Sequence, residues 1–225
     1  MTSQAAGVKG AAMPLILWAE GRKDNEMARK QAADFEEKQR GILDKAAQVF
    51  AEQGMEKASM SQIAVVAQVS KALLYHYYPS KDALIFAIII THLEELEAAI
   101  EAEDQPSLPP QERLRKLVGA VLENYRGADN EHKVQLNATM NLSDAQKAEI
   151  MALERSIVRR FSMVLDEINP HLKDRDRPLL MPVTMSLFGM LNWVYMWFKD
   201  GGRISREDYA DVATTLILEG IKSVR

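Results

Sequence analysis

The chain has 225 residues, 47% of them hydrophobic and 27% charged, and it contains no cysteine. This length and composition predict one or two folded domains and exclude a largely disordered chain. The lack of cysteine excludes structural disulfides, thiolate metal sites and a cysteine nucleophile, and it favours a cytoplasmic protein. The net charge of −4 gives no indication of a nucleic-acid partner.

The charges are unevenly distributed along the chain. Residues 1–33 carry five bases and three acids, residues 34–81 carry six of each, and residues 82–225 carry 17 bases and 23 acids. Within the middle segment, Lys57–Lys81 contains three lysines and no acid. An acid-free stretch in an acidic protein is typical of a surface that meets an anion. A short, partly buried helical pair with few charges is an equally good interpretation.

The first third of the chain is predicted to have a weakly patterned start, one regular helix and then two short helices. Residues 1–33 have little periodicity and predict a flexible extension with at most a short helix near Leu15–Trp18. Apolar residues then recur at three and four from Phe35 to a stop at Gly54, which predicts a first regular helix. Ser59 and Gln62 form a capping box. Two short helices, Gln62–Ala67 and Lys71–Tyr77, are expected after it.

The remainder of the chain is also predicted to be helical. Capping and stop signals give six further helices, with Ser80, Pro109-Pro110, the Ser143 capping box and Ser205 as start signals. No segment alternates as a strand does. The sequence therefore predicts an all-α chain of about nine helices, the later ones at Lys81–Glu103, Pro110–Arg126, Glu131–Met140, 144–168, 177–198 and 206–222.

Residues 179–198 form a run of twenty residues without a charge, which is long enough to span a bilayer. Polar and helix-perturbing residues interrupt it, among them Pro182, Thr184 and Asn192, and no second run accompanies it. A helix that is apolar on all sides is also typical of a fully buried position. We therefore expect no membrane partner and a helix covered on one side by its own domain and on the other by a second subunit.

The two short helices and their turn fit a helix-turn-helix, whose second helix enters the major groove of DNA. Its outward side chains combine one cation, small or apolar groups and aromatic polar tips, a set that suits phosphates and base edges. An ordinary helical hairpin with a tyrosine-rich surface would have the same spacing, so spacing alone leaves both interpretations open. The outward residues are Lys71, Ala72, Leu73, Tyr75, His76 and Tyr77.

The segment Arg40–Ile85 resembles the N-terminal DNA-binding domain of the TetR family of transcriptional regulators. The matching features, in fixed order, are Ile42-Leu43, Ala46-Ala47, Phe50, Gly54, Ile63-Ala64, Val69-Ser70, Leu74 to Tyr78, Ser80-Lys81 and Leu84. Three positions depart from the pattern: Gln68 stands where glycine is common, Leu73 where threonine is frequent, and Tyr78 where phenylalanine is frequent. A left-handed backbone at Gln68 would cost free energy.

The resemblance implies an Ω-shaped homodimer that binds a palindromic, double-stranded operator and responds to a small-molecule effector. After the weakly patterned extension at 1–33, it implies the DNA-binding domain at 34–81 and a ligand-binding and dimerisation domain at 82–225. It further implies that Lys71, Leu73, His76 and Tyr77 lie near bases or adjacent phosphates. Contacts to the phosphate backbone would come from Tyr75, Lys81, Ser59 and Ser61. A repressor is expected rather than an activator.

The C-terminal segment Gly189–Ile221 resembles a subgroup of this family that often senses acyl-CoA thioesters. Apolar and methionine side chains on the middle helices suit such a ligand, although core packing explains each of them equally well. The candidate lining residues are Phe86, Ile90, Leu93, Tyr125, Met140, Phe161, Met163 and Met190. Cations for the CoA phosphates are available at Arg155, Arg159 and Arg160 and at Arg113, Arg115, Lys116 and Arg126.

The uncharged run at 179–198 is expected to be covered on one side by its own domain and on the other by a second subunit. This predicts a two-fold dimer through the last two helices. The residues expected in that interface are Val183, Leu187, Val194 and Leu216.

The alternative to a regulator is a helical enzyme or a small-molecule carrier without a DNA-binding role. The sequence has no G-x-S-x-G, H-E-x-x-H, phosphate-binding glycine loop or dinucleotide motif. Its four histidines, His76, His92, His132 and His171, lack the spacing of metal ligands. We therefore expect no catalytic residues, no metal and no cofactor.

Overall fold

The computed structural model describes residues 15–138, 142–174 and 176–223, with side chains from residue 34 onward. Within these ranges every regular element is helical, which confirms the predicted all-α class. Two 3-10 turns, Pro170–Lys173 and Val194–Met196, accompany the α-helices. The α-helices are α1 Leu15–Gln53, α2 Met60–Val66, α3 Lys71–Tyr77, α4 Lys81–Glu103, α5 Pro110–Asn124, α6 Asp129–Asn137, α7 Asp144–Ile168, α8 Leu180–Asn192 and α9 Arg206–Gly220.

The first helix begins at Leu15, well before the expected start near Phe35. Residues 15–34 are rich in alanine, glutamate, lysine and arginine, which are good helix formers, and they contain no proline. Helix propensity thus extends the helix where apolar periodicity gives no signal. Residues 1–14 of the predicted extension lie outside the described residues. The chain divides into two units after Ile42, so the division falls inside α1.

Both predicted capping boxes, at Ser59 and Ser143, are present, and Ser205, predicted only as a helix start, forms a third. The hydroxyls of Ser59, Ser143 and Ser205 accept from the backbone N–H three residues later, and the side chain at that position accepts from the serine N–H. Ser80 also caps α4, by accepting from the N–H of Ala83 at 3.0 Å. These caps satisfy N–H groups that a helix start leaves without partners. They explain why α4 and α7 begin where the sequence predicts.

The core of the second unit lies among α4, α5, α7, α8 and α9. Helix α5 packs against α4, α7 and α9, α6 packs against α4, and α8 packs against α7 and α9. The interior is filled by fully buried aliphatic and aromatic side chains, including Ile88, Leu114, Leu117, Phe161 and Leu187. Burial of this apolar surface is the main source of stability for the unit.

Helix α8 ends at Asn192, whereas the sequence predicts a helix that continues to Phe198. The imidazole Nε2 of His132 lies 3.1 Å from the carbonyl oxygen of Asn192, which would otherwise accept from the N–H of Met196. The N–H of Met196 donates to Trp193 instead, which gives a 3-10 turn. A side chain inserted into the helical hydrogen-bond ladder thus ends the helix. None of the described helices is both long enough and apolar enough to cross a membrane.

Candidate functional site

The short helices α2 and α3 are joined by a tight turn with a left-handed residue. Gln68 has φ of 55°, the conformation expected from its place in the sequence pattern. The N–H of Gln68 donates to Val65, and the N–H of Val69 donates to Ala64 at 3.0 Å. These bonds satisfy the end of α2 and orient the chain into α3. A residue other than glycine in this conformation costs conformational free energy.

Helix α3 is held at its start and in its middle. The Ser70 hydroxyl accepts from the N–H of Leu73 at 3.1 Å, and this caps the helix. Leu74 is fully buried and anchors α3 among its neighbours, α2 included. A seven-residue helix is too short to be stable by itself, so the cap and this anchor fix its orientation.

The outer surface of α3 carries the predicted DNA-facing residues. Lys71, Ala72, Tyr75 and His76 are exposed, whereas Leu73 and Tyr77 are half-buried. The Lys71 ammonium lies 5.8 Å from the centre of the Tyr75 ring, and the His76 ring lies 5.8 Å from that of Tyr77. The surface therefore presents a cation, hydroxyl and imidazole groups within one helix and carries no carboxylate.

Tyr78, next along the chain, belongs to the interior. It is buried, and burial raises the pKa of its phenol to about 12. It therefore stays neutral and packs as the phenylalanine of the sequence pattern would.

Lys81, for which the family resemblance implies a contact to the DNA backbone, directs its ammonium group to the protein's own backbone. Its Nζ donates to three backbone carbonyls, those of Met55, Glu56 and Ala58, at 2.6, 3.2 and 3.3 Å. An ammonium group has three hydrogens, so all of its donors are used within the protein. Lys81 is thus a structural link from α4 to the loop between α1 and α2.

Ser59 also has a structural role that the resemblance does not predict. Its Oγ accepts from the N–H of Gln62 at 3.3 Å and donates to Gln62 Oε1 at 2.9 Å. The hydroxyl hydrogen is therefore not free for a phosphate in this conformation. Ser61, the second residue of α2, is exposed.

The structure distributes the predicted ligand-lining residues between the core and the surface. Leu93, Tyr125 and Phe161 are buried, whereas Phe86, Ile90 and Met190 are half-buried. Met163 is 51% exposed on α7, so it does not line the interior of the subunit. Met140 lies outside the described residues.

Three rings form a buried aromatic cluster that we call the His–Tyr cluster: His92 on α4, Tyr125 after α5, and His132 on α6. The centre of the His132 ring lies 4.4 Å from that of Tyr125 and 5.8 Å from that of His92. The Tyr125 hydroxyl donates to Asn192 Oδ1 at 3.0 Å. The cluster thus joins α4, which follows α3, to the end of α8.

Both imidazoles of the His–Tyr cluster are neutral at physiological pH. Burial, together with repulsion from His132 when that ring is protonated, lowers the pKa of His92 to about 4, and burial also lowers the pKa of His132. Burial raises the pKa of the Tyr125 phenol. In the sequence these histidines lack the spacing of metal ligands. The signal that could have revealed the cluster is that His92 and His132 lie on the buried faces of their helices.

Most of the cations proposed for CoA phosphates are in ion pairs. Arg113 and Arg160 both bind Asp104, which is almost fully buried and whose pKa their hydrogen bonds lower. Arg115 pairs with Asp211, Lys116 with Glu103, and Arg126 with Glu123. Arg155 and Arg159 are exposed on α7. Among the described residues, no group of three histidine or carboxylate side chains is placed to hold a metal ion.

The last helices carry an exposed apolar stripe, but two predicted interface residues do not belong to it. Leu187 and Val194 are buried within the subunit, since their side of the chain packs inward. Val183 is half-buried and Leu216 is 59% exposed. The exposed stripe consists of two rows in which residues recur every four positions. One row lies on α8 and its C-cap, at Met181, Met185, Gly189 and Trp193, and the other lies on α9, at Val212 and Leu216.

Two family models match the chain. Residues 42–88 match bacterial regulatory proteins of the tetR family, and residues 107–221 match the tetracyclin repressor-like C-terminal domain. The HTH-type transcriptional regulator YhgD of Bacillus subtilis (strain 168) is 26% identical over 185 residues, which are 81% of this chain and 95% of YhgD.

Solved structures agree with these matches. A TetR-family transcriptional regulator from Bordetella parapertussis 12822 has a TM-score of 0.75 and 30% identity, over 83% of this chain and 97% of that one. AibR in complex with isovaleryl coenzyme A and operator DNA has a TM-score of 0.68 and 28% identity, over 80% of this chain and 97% of AibR. From its helix-turn-helix through its C-terminal helices, the chain belongs to the TetR family of bacterial transcriptional regulators, which are not enzymes.

Proposed function

We propose that this regulator is an effector-responsive repressor that binds a palindromic operator as a homodimer. The observation that carries the proposal is the exposed surface of α3, where Lys71, Tyr75 and His76 lie together without a carboxylate. A rigidly held short helix with such a surface suits the major groove. Phosphates attract the lysine, and base edges can form hydrogen bonds with the hydroxyl and imidazole groups.

The roles of individual residues follow from their exposure. Lys71 and Tyr75 lie at the start and middle of α3 and are suited to phosphates, and His76 is suited to a base edge. Ala72 and Leu73 are suited to the methyl group of thymine. Tyr77 lies at the end of α3 beside His76 and would support its position. Ser61 on α2 remains available for the backbone of the same groove.

Selection from a pool of randomised duplexes tests the operator. We expect the full-length protein to enrich an inverted repeat whose half-sites lie about one helical turn, or a multiple of it, apart. His76→Ala should relax the preference at one position of each half-site. Enrichment of no sequence, or of a site without two-fold symmetry, would contradict the proposal.

The proposed dimer forms through the exposed stripe of α8 and α9. Exposed methionine, tryptophan, valine and leucine side chains on two helices that pack together are typical of an interface. Gly189 has open space around its α-carbon, so a second helix can approach closely there. Two-fold symmetry would bring the same stripe of each subunit together and place both copies of α3 on one side.

We further propose that the effector is an acyl-CoA thioester. The C-terminal sequence pattern and the structural similarity to AibR, which was solved with isovaleryl coenzyme A, support this class. Most of the arginine and lysine side chains considered for the CoA phosphates are already in ion pairs. The acyl chain rather than the phosphates would therefore supply most of the selectivity. The effector would favour a separation of the two α3 helices that does not fit the operator.

A panel of thioesters and the corresponding free acids, titrated into the protein–operator complex, tests the effector class. We expect release by one or more thioesters and no release by the free acids. Release by free acids alone would reject the thioester proposal and leave the DNA-binding proposal intact.

A further inference from the structure

Gln68, in the turn between α2 and α3, has a left-handed backbone that its residue type does not favour. Its φ is 55°, and among the described residues all the others with a positive φ are glycines. A side chain with a Cβ crowds the backbone in this conformation, whereas glycine adopts it without that cost. Strained residues are concentrated at functional sites, so the retained strain points to a function of the side chain.

No hydrogen bond of the Gln68 side chain within the described part of the chain offsets this strain. The backbone N–H donates to the carbonyl of Val65 at 3.1 Å, but glycine would form the same bond. Gln68 is exposed, and its side-chain amide forms no hydrogen bond to another described residue. Its two donor hydrogens and its acceptor oxygen are therefore available to a partner outside the subunit.

The position of Gln68 in the chain places it close to the exposed surface of α3. It lies two residues before Ser70, whose hydroxyl caps α3, and three before Lys71, the first residue of that helix. Consecutive Cα atoms are about 3.8 Å apart, so the Cα atoms of Gln68 and Lys71 are separated by at most about 11 Å. A recognition helix enters the major groove with its first residues. The residues just before it therefore lie at the edge of the groove, beside the phosphates.

The sequence around Gln68 contains no carboxylate that would repel a phosphate. Ser70 and Lys71 beside it are exposed. No acid occurs anywhere between Lys57 and Lys81. Glutamine is among the side chains that donate hydrogen bonds to DNA phosphates. Because the amide is neutral, such a contact adds affinity without the release of counterions that a lysine causes.

We infer that the side-chain amide of Gln68 donates a hydrogen bond to a phosphate of the operator backbone, beside the phosphate suited to Lys71. This inference rests on the proposed function in assuming that α3 occupies the major groove. The glycine that is common at this position of the family has no side chain to form such a bond. The contact offsets the left-handed strain only when DNA is bound, and its strength does not depend on the base sequence.

Gln68→Lys tests the place of the side chain by adding a measurable contact. A lysine at a phosphate releases counterions, so the slope of log K against log salt should become steeper by about 0.9 for the full-length protein on its selected operator. Gln111→Lys, at an exposed position of α5, adds the same charge outside the helix-turn-helix and should leave the slope unchanged. An unchanged slope with Gln68→Lys, or an equal increase with both variants, would overturn the inference.

Gln68→Ala and Gln68→Gly separate the amide from the strain. Both remove the amide, but alanine keeps the Cβ that crowds the backbone, whereas glycine relieves it. The glycine variant should therefore have the higher thermal midpoint. Both variants should nevertheless bind the operator about fivefold more weakly than the unaltered protein, as the loss of one hydrogen bond implies. Their salt slopes should not change, because the lost contact is neutral.

A scrambled duplex of the same composition distinguishes a phosphate contact from a base contact. Both duplexes have the same backbone, so the two variants should weaken binding to each by a similar factor. A loss confined to the operator would identify Gln68 as a base contact and would overturn the phosphate assignment. Unchanged affinity of both variants for both duplexes would overturn it as well.

The proposed function and this inference fail in different ways. An unaltered protein that selects no operator would reject the regulator proposal itself. A protein that selects an operator but is insensitive to substitutions of Gln68 would reject this inference alone.

Discussion

The Nζ atom of Lys81 lies 2.6 Å from the carbonyl oxygen of Met55, 26 residues earlier in the chain. Together with the carbonyls of Glu56 and Ala58, this contact fixes the start of α4 against the loop that leads into α2. Helix α4 also carries His92, so it physically joins the helix-turn-helix to the His–Tyr cluster. Lys81, for which the family resemblance implies a DNA contact, therefore has a structural role at the start of α4.

Lys81→Ala should affect the stability of the protein, whereas Lys71→Ala should affect its DNA binding. Loss of the Lys81 hydrogen bonds should lower the free energy of unfolding by about 1–3 kcal/mol and leave the salt dependence of DNA binding unchanged. Lys71→Ala should leave the stability unchanged and reduce the slope of log K against log salt by about 0.9. Urea unfolding measures the stability. Operator binding measured between about 50 and 200 mM salt gives the slope.

Lys57→Ala is a suitable control for this pair, because Lys57 is exposed and lies outside both helices of the motif. If Lys81→Ala reduced the slope as much as Lys71→Ala and left the stability intact, Lys81 would be a phosphate contact after all.

Gln68→Gly should stabilise the protein, since Gln68 adopts φ of 55° in the turn between α2 and α3. Relief of the left-handed strain outweighs the larger entropy of glycine in the unfolded chain, and we expect a gain of about 0.5–1 kcal/mol. Gln111→Gly, in the first turn of α5, should instead be destabilising. Thermal unfolding of the two variants decides: a loss of stability at Gln68 would mean that the left-handed turn is not strained.

Local sequence signals predicted the helix starts well. Ser59, Ser80 and Ser143 each cap the helix that the sequence assigns to them, and the predicted limits of α3 and α4 agree with the structure. A cap is recognised from three or four neighbouring residues, so it needs no knowledge of tertiary structure. The left-handed residue at Gln68, by contrast, was expected from the family resemblance, in which glycine is common at this position.

Contacts between distant parts of the chain explain what the sequence did not predict. Helix α8 ends at Asn192 because of His132, which lies 60 residues earlier. The inward direction of Leu187 was not predictable from a run that is apolar on every side, because such a run has no preferred face. Likewise, nothing local distinguishes a lysine that binds carbonyls from one that binds phosphates.

Stability should fall between pH 7 and pH 5 because of His92. Its pKa is about 4 in the folded protein and about 6.5 in the unfolded chain, so the unfolded chain takes up the proton first as the pH falls. The linkage predicts a loss of about 2 kcal/mol over this interval, with His132 adding in the same direction. The paired carboxylates, such as Asp104, have lowered pKa values and contribute only at more acid pH.

Urea unfolding at pH 7 and pH 5 measures this effect in the unaltered protein and in His92→Phe. The substitution keeps an aromatic ring and should remove most of the loss, whereas His171→Gln, at an exposed position, should not. An unaltered protein that is equally stable at both values would show that His92 is not held neutral by burial.

Met185→Glu and Leu216→Arg should separate the dimer. Both residues lie in the exposed stripe, and a charge placed in an apolar two-fold interface faces its own copy without a partner. Met163→Glu is the matched control, since this methionine is equally exposed but lies on α7. Sedimentation should give monomers for the first two and a dimer for the control. Dimers in all three would place the interface elsewhere.

The affinity of the full-length protein for its selected operator, compared with a scrambled duplex of the same length and composition, tests the central claim most directly. Fluorescence anisotropy at physiological salt gives both dissociation constants. We predict that the operator binds at least about 10³-fold more tightly than the scrambled duplex. His76→Ala should reduce that ratio. Equal dissociation constants for the two duplexes would contradict the account.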